Sequence, residues 1–319
     1  MNAQKGSALL IVLMILALMA ALAAEMTISF QVQLQRTRRI NDSLQGKYAL
    51  LYAEAQSMDR FQEKPGDVLT HSESPGDDTD VSWQINDLHH CYNLNALKNT
   101  PEEPLATPPY EISVFYALLE KLAVEKYRAE EIAQSIADYI DDNDSTRVKG
   151  AEDEYYQHSQ PGYLTAGQVL FLPTEVRKIK GMTDALYQKL APFICTRFSS
   201  DLAININTLT EQQAPLLAAL FLNNISLSDA KMLLKKRPVN GWEKVEDFLY
   251  QAQQDFSAAK PLVDSLKKQI TTSSSYFLTT STVHEGDLTF GMRTFFIYDE
   301  KTKTLKLYLR QLTDGSSEQ

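Results

Sequence analysis

The chain has 319 residues, enough for two packed domains beyond any membrane segment. Its 41 Asp and Glu against 31 Lys and Arg leave a formal charge of −10 with no segregated basic patch, which argues against a surface built for nucleic-acid phosphates. Cys91 and Cys195 are too far apart for a zinc knuckle or a redox motif. In an oxidising compartment they could pair, or they could remain two half-buried thiols, because sequence alone does not set their Cα separation.

Residues 7–24, SALLIVLMILALMAALAA, carry no charge and are just long enough to cross a hydrocarbon core of about 30 Å. Lys5 alone precedes them with a positive charge, so the bias keeps the N-terminus cytoplasmic and sends the bulk to the periplasm. A cleaved secretory signal is the competing reading, with residues 21–24 as its small-residue site. The helical pattern nevertheless runs on through residues 25–52, without proline, as a long amphipathic helix. Residues 62–80 hold two Pro-Gly pairs and read as a solvated loop that ends it. Residues 81–85 alternate as a half-buried strand and lead into CYNLNAL at 91–97. A Pro-rich linker follows, then helical patterns over 112–123, 129–140, 166–179, 184–193, 211–222, 228–236 and 242–251. After residue 271 the period changes to three strands joined by hairpin turns. A helical block of residues 98–270 between strands is an insertion into a small α+β domain, the sheet unit comprising residues 25–97 and 271–319.

Residues 138–154, DYIDDNDSTRVKGAEDE, set seven carboxylates against Arg147 and Lys149 on a helix end and a glycine-containing loop. Clustered carboxylates on an irregular loop suit a hard cation such as calcium, and they equally suit a solvated acidic surface. Residues 203–249 look like a helix-hairpin-helix unit, a fold that holds phosphate on turn N–H groups, but the turn Asn223-Asn224-Ile225 lacks glycine. A packing unit fits better. The five histidines are scattered, and no HExxH, GxSxG or P-loop pattern occurs, so an enzyme is not expected.

Lys5 and Gly6 directly before the apolar run resemble the type IV prepilins. The resemblance implies that a prepilin peptidase cuts after Gly6 and that Ser7 becomes the methylated mature N-terminus. Most members carry glutamate at the fifth mature position, where this chain has Ile11. Together with the inserted helical block, this resembles the type II secretion minor pseudopilin known as protein K over nearly the whole chain. That family implies a long helix on a small antiparallel sheet with a large all-α insert. It also implies a position at the pseudopilus tip in the inner membrane, with other minor pseudopilins, the major pseudopilin and the peptidase as partners, possible contact with secreted substrates, and no nucleic acid. The acidic stretch is similar to that family's DWIDxDxxP…GAED segment, which implies calcium held by Asp138, Asp141, Glu152 and Asp153, with Asn143 completing the shell. Tyr139 stands for the family's Trp, Asn143 for an Asp and Thr146 for a Pro. A signal-anchored periplasmic module using the hairpins to recognise protein or nucleic acid is the alternative function.

Overall fold

A computed structural model describes residues 4–66, 70–74 and 79–314, with side chains from residue 9 of the first helix onward. That helix, α1 (Gln4–Glu63), runs unbroken for 60 residues, about 90 Å. It stops where Pro65 lacks an N–H and Gly66 turns to φ +89°. From Leu9 to Leu34 its apolar side chains are exposed, Met26 to 74% and Phe30 to 65%, and among the described residues nothing covers them. Gly6 and Ser7 lie at the start of this helix, where side chains fall outside the described residues.

A short edge hairpin follows, β1 (Thr70–Glu73) and β2 (Thr79–Asp87). This corrects the expectation of a continuous loop over residues 62–80. β1 pairs by register with β2 rather than through an apolar pattern, and His71 stacks on Trp83 at 5.4 Å.

Residues 88–275 then leave the sheet and fold as a helical body. Its elements are β3 (Tyr92–Asn93), α2 (Tyr110–Lys121), α3 (Lys126–Ile140), α4 (Asp153–Gln157), α5 (Asp184–Leu190), β4 (Ile194–Cys195), β5 (Ile204–Asn205), α6 (Ala214–Leu220), α7 (Leu227–Lys235), α8 (Val245–Asp255), α9 (Val263–Lys267) and β6 (Ile270–Thr271). The four strand segments form two-residue parallel bridges, β3 with β4 and β5 with β6. Each longer helix buries one stripe at helical spacing, such as Ile132, Ile136 and Ile140 of α3, into a single core. Residues 91–97, assigned by sequence to the sheet unit, bury Tyr92, Leu94 and Leu97 in this core instead. Residues 166–179 are not the expected α-helix. Gly167 takes φ +55°, Leu170 is tied to Asn95, and only Pro173–Lys178 coil into a 3-10 turn.

The chain re-enters the sheet as β7 (Tyr276–Glu285), β8 (Leu288–Asp299) and β9 (Thr304–Thr313), giving the antiparallel order β1-β2-β7-β8-β9. β7 pairs with β2 over nine residues, from Thr79↔Glu285 to Asp87↔Phe277. The second half of α1 lies on one face of this sheet through Leu50, Ala53, Ser57 and Phe61, spaced three or four apart. Gly46 admits the Phe290 ring, which would lie 2.3 Å from a Cβ there. Phe61 meets Phe277, Phe296 and Tyr298 edge-on at 4.5 to 5.4 Å. One charge enters this interface. Glu54 is buried, accepts both arms of the Arg310 guanidinium at 2.6 and 2.7 Å and takes a third bond from Thr294, so it is fully partnered.

Body and sheet meet where β2 ends. Cys91 and Cys195 are disulfide-bonded, their Cα atoms 5.7 Å apart, closing a loop of 104 residues. Chain entropy alone makes such a closure worth about 4 to 5 kcal/mol. Beside it, the buried Arg197 donates to the Leu88, Asp201, Leu202 and Ala203 carbonyls. His89 bridges the two units: Nδ1 bonds the Ala203 carbonyl at 2.6 Å and Nε2 accepts from the Ser275 N–H at 3.3 Å. This network requires the neutral ring, protonated on Nδ1. Burial, reinforced by the nearby Arg197 charge, pulls the His89 pKa down to about 4, against weaker opposition from Asp87. Since the folded value lies below the unfolded 6.5, this contribution to stability is complete above pH 6.5 and is lost as pH falls towards 4. His89→Gln keeps a donor and an acceptor without the titration. Melting of the full chain in detergent between pH 7 and 4 should show the wild type losing about 3 kcal/mol more than the variant; parallel profiles would contradict this account.

Candidate functional site

α3 carries Asp138 near its C-terminal end and Asp141 caps it, and the loop that follows turns back to bring Glu152 and Arg147 against them. Ligand-capable oxygens of Asp138, Asp141 and Glu152 all lie within 4.8 Å of one another, and all three side chains are buried. The return depends on Gly150, where a Cβ would fall 1.7 Å from Asp138 Oδ2. The Arg147 Nη1 donates to Asp138 Oδ1 and to Asp141 Oδ2, each at 2.6 Å. Its Nε and Nη2 donate to the Thr100 carbonyl at 3.1 and 2.8 Å. Glu152 is the odd member. It is 5% exposed, and among the described residues neither of its oxygens has a hydrogen-bond partner.

The other expected ligands point elsewhere. Asn143 folds onto its own loop, its Oδ1 accepting from Ser145 N at 2.8 Å. Asp153 Oδ1 accepts from the Thr165 N–H and hydroxyl at 2.8 and 2.7 Å. Of the five residues expected around a cation, the fold therefore brings three together. Arg147 and Gly150 were visible in sequence only as a countercharge and a turn residue.

The electrostatics follow from this packing. Burial, and then repulsion from Asp138, Asp141 and Asp153, pushes the Glu152 carboxyl up to about 7. Asp138 is also raised, by burial, against the pull of Arg147. An all-oxygen donor set of three carboxylates, one without any partner, fits a hard divalent cation of the calcium type, which takes six to eight oxygens in flexible geometry. Backbone carbonyls or water would have to supply the remainder.

The hairpin offers no comparable site. Leu222 and Asn223 take left-handed φ of 48° and 59° in place of a glycine, and the N–H groups of Leu222, Asn223 and Asn224 are already donated to the Ala219, Ala218 and Phe221 carbonyls. A phosphate would find no donor among them. Asn223 instead donates to Ala117 and Glu120 of α2, so the turn is a packing element. Of the basic cluster at the C-terminal end of α7, Lys235 faces Glu211, Lys236 faces Asp255, and Arg237 donates to the Asn207 and Leu209 carbonyls.

Comparison with known proteins agrees with this architecture. The type II secretion system protein K family patterns match residues 90–198 and 204–273, which is the helical body. A putative type II secretion system protein K of Escherichia coli K12 is 44% identical, over 98% of both chains. The chain belongs to the type II secretion system protein K family. The Klebsiella pneumoniae protein K is 37% identical over 81% of this chain and 83% of its own. The crystal structure of the GspK-GspI-GspJ complex from the enterotoxigenic E. coli type 2 secretion system contains a chain similar to this one. They share 28% identity at a TM-score of 0.74, over 87% of this chain and 99% of that one.

Glu152 gives the site a pH signature. Its folded pKa of about 7 exceeds the ordinary 4.5, so the stability it contributes is present below pH 4.5 and lost as pH rises through 7. In chelator at pH 8, Glu152→Gln should therefore melt above the wild type, by up to about 3 kcal/mol, with the difference vanishing at pH 4.5. A variant less stable than wild type under chelator at pH 8 would contradict the unpaired carboxylate.

Proposed function

We propose that this chain is a minor pseudopilin that sits at the tip of the type II secretion pseudopilus and supports its initiation and the export of folded proteins. The observation that carries the reading is the exposed apolar half of α1, joined without a break to a sheet unit enlarged by the helical body. Such a helix is long and apolar enough to cross a membrane, and exposed apolar surface of this extent needs lipid or neighbouring helices around it. A head carrying this body is too broad to be stacked upon, which suits a cap better than a repeating subunit. Ile11 supports the same position, since a carboxylate at that depth is costly unless an overlying amino terminus pairs with it. The partners that follow are other minor pseudopilins, as in the complex of the solved relative, then the major pseudopilin below them and the prepilin peptidase. The role is one of assembly rather than catalysis, in the inner membrane with a cytoplasmic N-terminus and a periplasmic bulk.

Cleavage after Gly6 separates this reading from a simple signal anchor. Gly6→Leu should leave the precursor uncut in the inner membrane and abolish secretion. Mass spectrometry of the mature N-terminus checks it, and a chain beginning at Ser7 in that variant, or normal secretion, would reject the prepilin assignment.

The acidic cluster is proposed as a structural calcium site held by Asp138, Asp141 and Glu152. Asp153 and Asn143 could join only by giving up their present hydrogen bonds. When bound, calcium would neutralise carboxylates that otherwise repel one another. Asp141→Ala should remove the part of the melting temperature that chelator lowers in the wild type, about 2.7 kcal/mol at a hundredfold excess over the dissociation constant. Identical melting of the wild type in calcium and chelator, with no ion bound, would return the loop to an acidic surface.

A further inference from the structure

The calcium site is built around a cation that the chain supplies itself. The Arg147 side chain is 5% exposed, and one of its nitrogens lies 2.6 Å from carboxylate oxygens of both Asp138 and Asp141. Its Nε and Nη2 donate to the Thr100 carbonyl, ahead of the Pro-rich segment, so the guanidinium is anchored from a second direction. Glu152, with both oxygens unpartnered, is the carboxylate that Arg147 leaves over. With Glu152 ionised, three carboxylates against one guanidinium leave a formal charge of −2, the charge a divalent cation would cancel.

We propose that Arg147 is an affinity-setting counter-cation, holding the acidic loop closed in the ion-free protein and weakening calcium binding by occupying oxygens of Asp138 and Asp141. This rests on the calcium reading above. The physical basis is competition. Opposite charges a few ångströms apart in a buried site interact strongly, so a guanidinium bonded to two of the carboxylates opposes any second cation drawn to them. Removing it has two opposite consequences. The ion-free loop loses its only charge partner among the described residues at Asp138 and Asp141, while the carboxylates gain attraction for calcium. A residue with a merely structural role would show the first effect without the second.

The test is calorimetric titration of the full chain in detergent with calcium chloride, after chelator treatment, for wild type, Arg147→Gln and Arg147→Lys. Arg147→Gln should melt below wild type in chelator and bind calcium at least tenfold more tightly. Arg147→Lys, which keeps the charge but not the fork, should fall between them. If Arg147→Gln is unfolded in chelator, recovery of its circular dichroism on adding calcium is the supporting result. Failure to fold at any calcium concentration would overturn the proposal, because Arg147 would then be needed in the loaded state too. Equal or weaker calcium binding by Arg147→Gln overturns the role of Arg147 and leaves the calcium site standing. No binding by wild type or either variant overturns both.

Discussion

The pairing of β2 with β7 is the constraint on which the rest of the molecule depends. Nine residues before the helical body meet nine residues after it in antiparallel register, so the chain must leave and re-enter the sheet through neighbouring strands. The entropy of closing so long a loop is met only if the body folds with its ends together. The two parallel bridges, the disulfide and the His89 contacts to Ala203 and Ser275 all lie near that closure. They fix the exit and entry of the body against the sheet.

The polar groups at the junction and in the acidic loop are arranged on opposite principles. Around Arg197 a buried charge donates to four backbone carbonyls, and the neighbouring histidine is kept neutral by its own burial and then by that charge. Around Arg147 the buried charge faces more carboxylates than it can satisfy, and Glu152 is left without a partner. The first arrangement spends both terminal nitrogens of the guanidinium on backbone oxygens, leaving Nε without a partner among the described residues, and reads as structure. The second has unmet acceptor capacity, which in a protein interior is costly and points to a ligand.

The sheet unit relates these features to assembly. Leu50, Ala53 and Phe61 bind α1 to the sheet, so the exposed apolar half of the same helix is held at a fixed direction from the head. Burial of Phe61 among three aromatic rings and the Glu54 contact with Arg310 and Thr294 anchor it along this face. Force or packing applied to the apolar half would therefore reach the head through a continuous helix rather than a linker.

Local signals in the sequence determined much of this: the uncharged run of residues 7–24, the change from period two to a helical period and back, and the carboxylates of residues 138–154 are each set by neighbours in the chain. The Lys5-Gly6 pair that carries the likeness to prepilins is likewise one-dimensional. Tertiary structure decided what depends on distant partners. β1 was hidden because an edge strand needs only a register with β2, not an apolar face of its own. Residues 166–179 lost their expected helix because Asn95, far away in the chain, claims the backbone of Leu170. Residues 91–97 joined the helical body because its core, not their own pattern, offered room for Tyr92 and Leu97. Within the acidic loop, sequence could name carboxylates but not aim them. Whether Asp153 turns to Thr165 or Arg147 reaches Asp138 and Asp141 is settled by competition among hydrogen-bond partners that only the folded loop brings within reach.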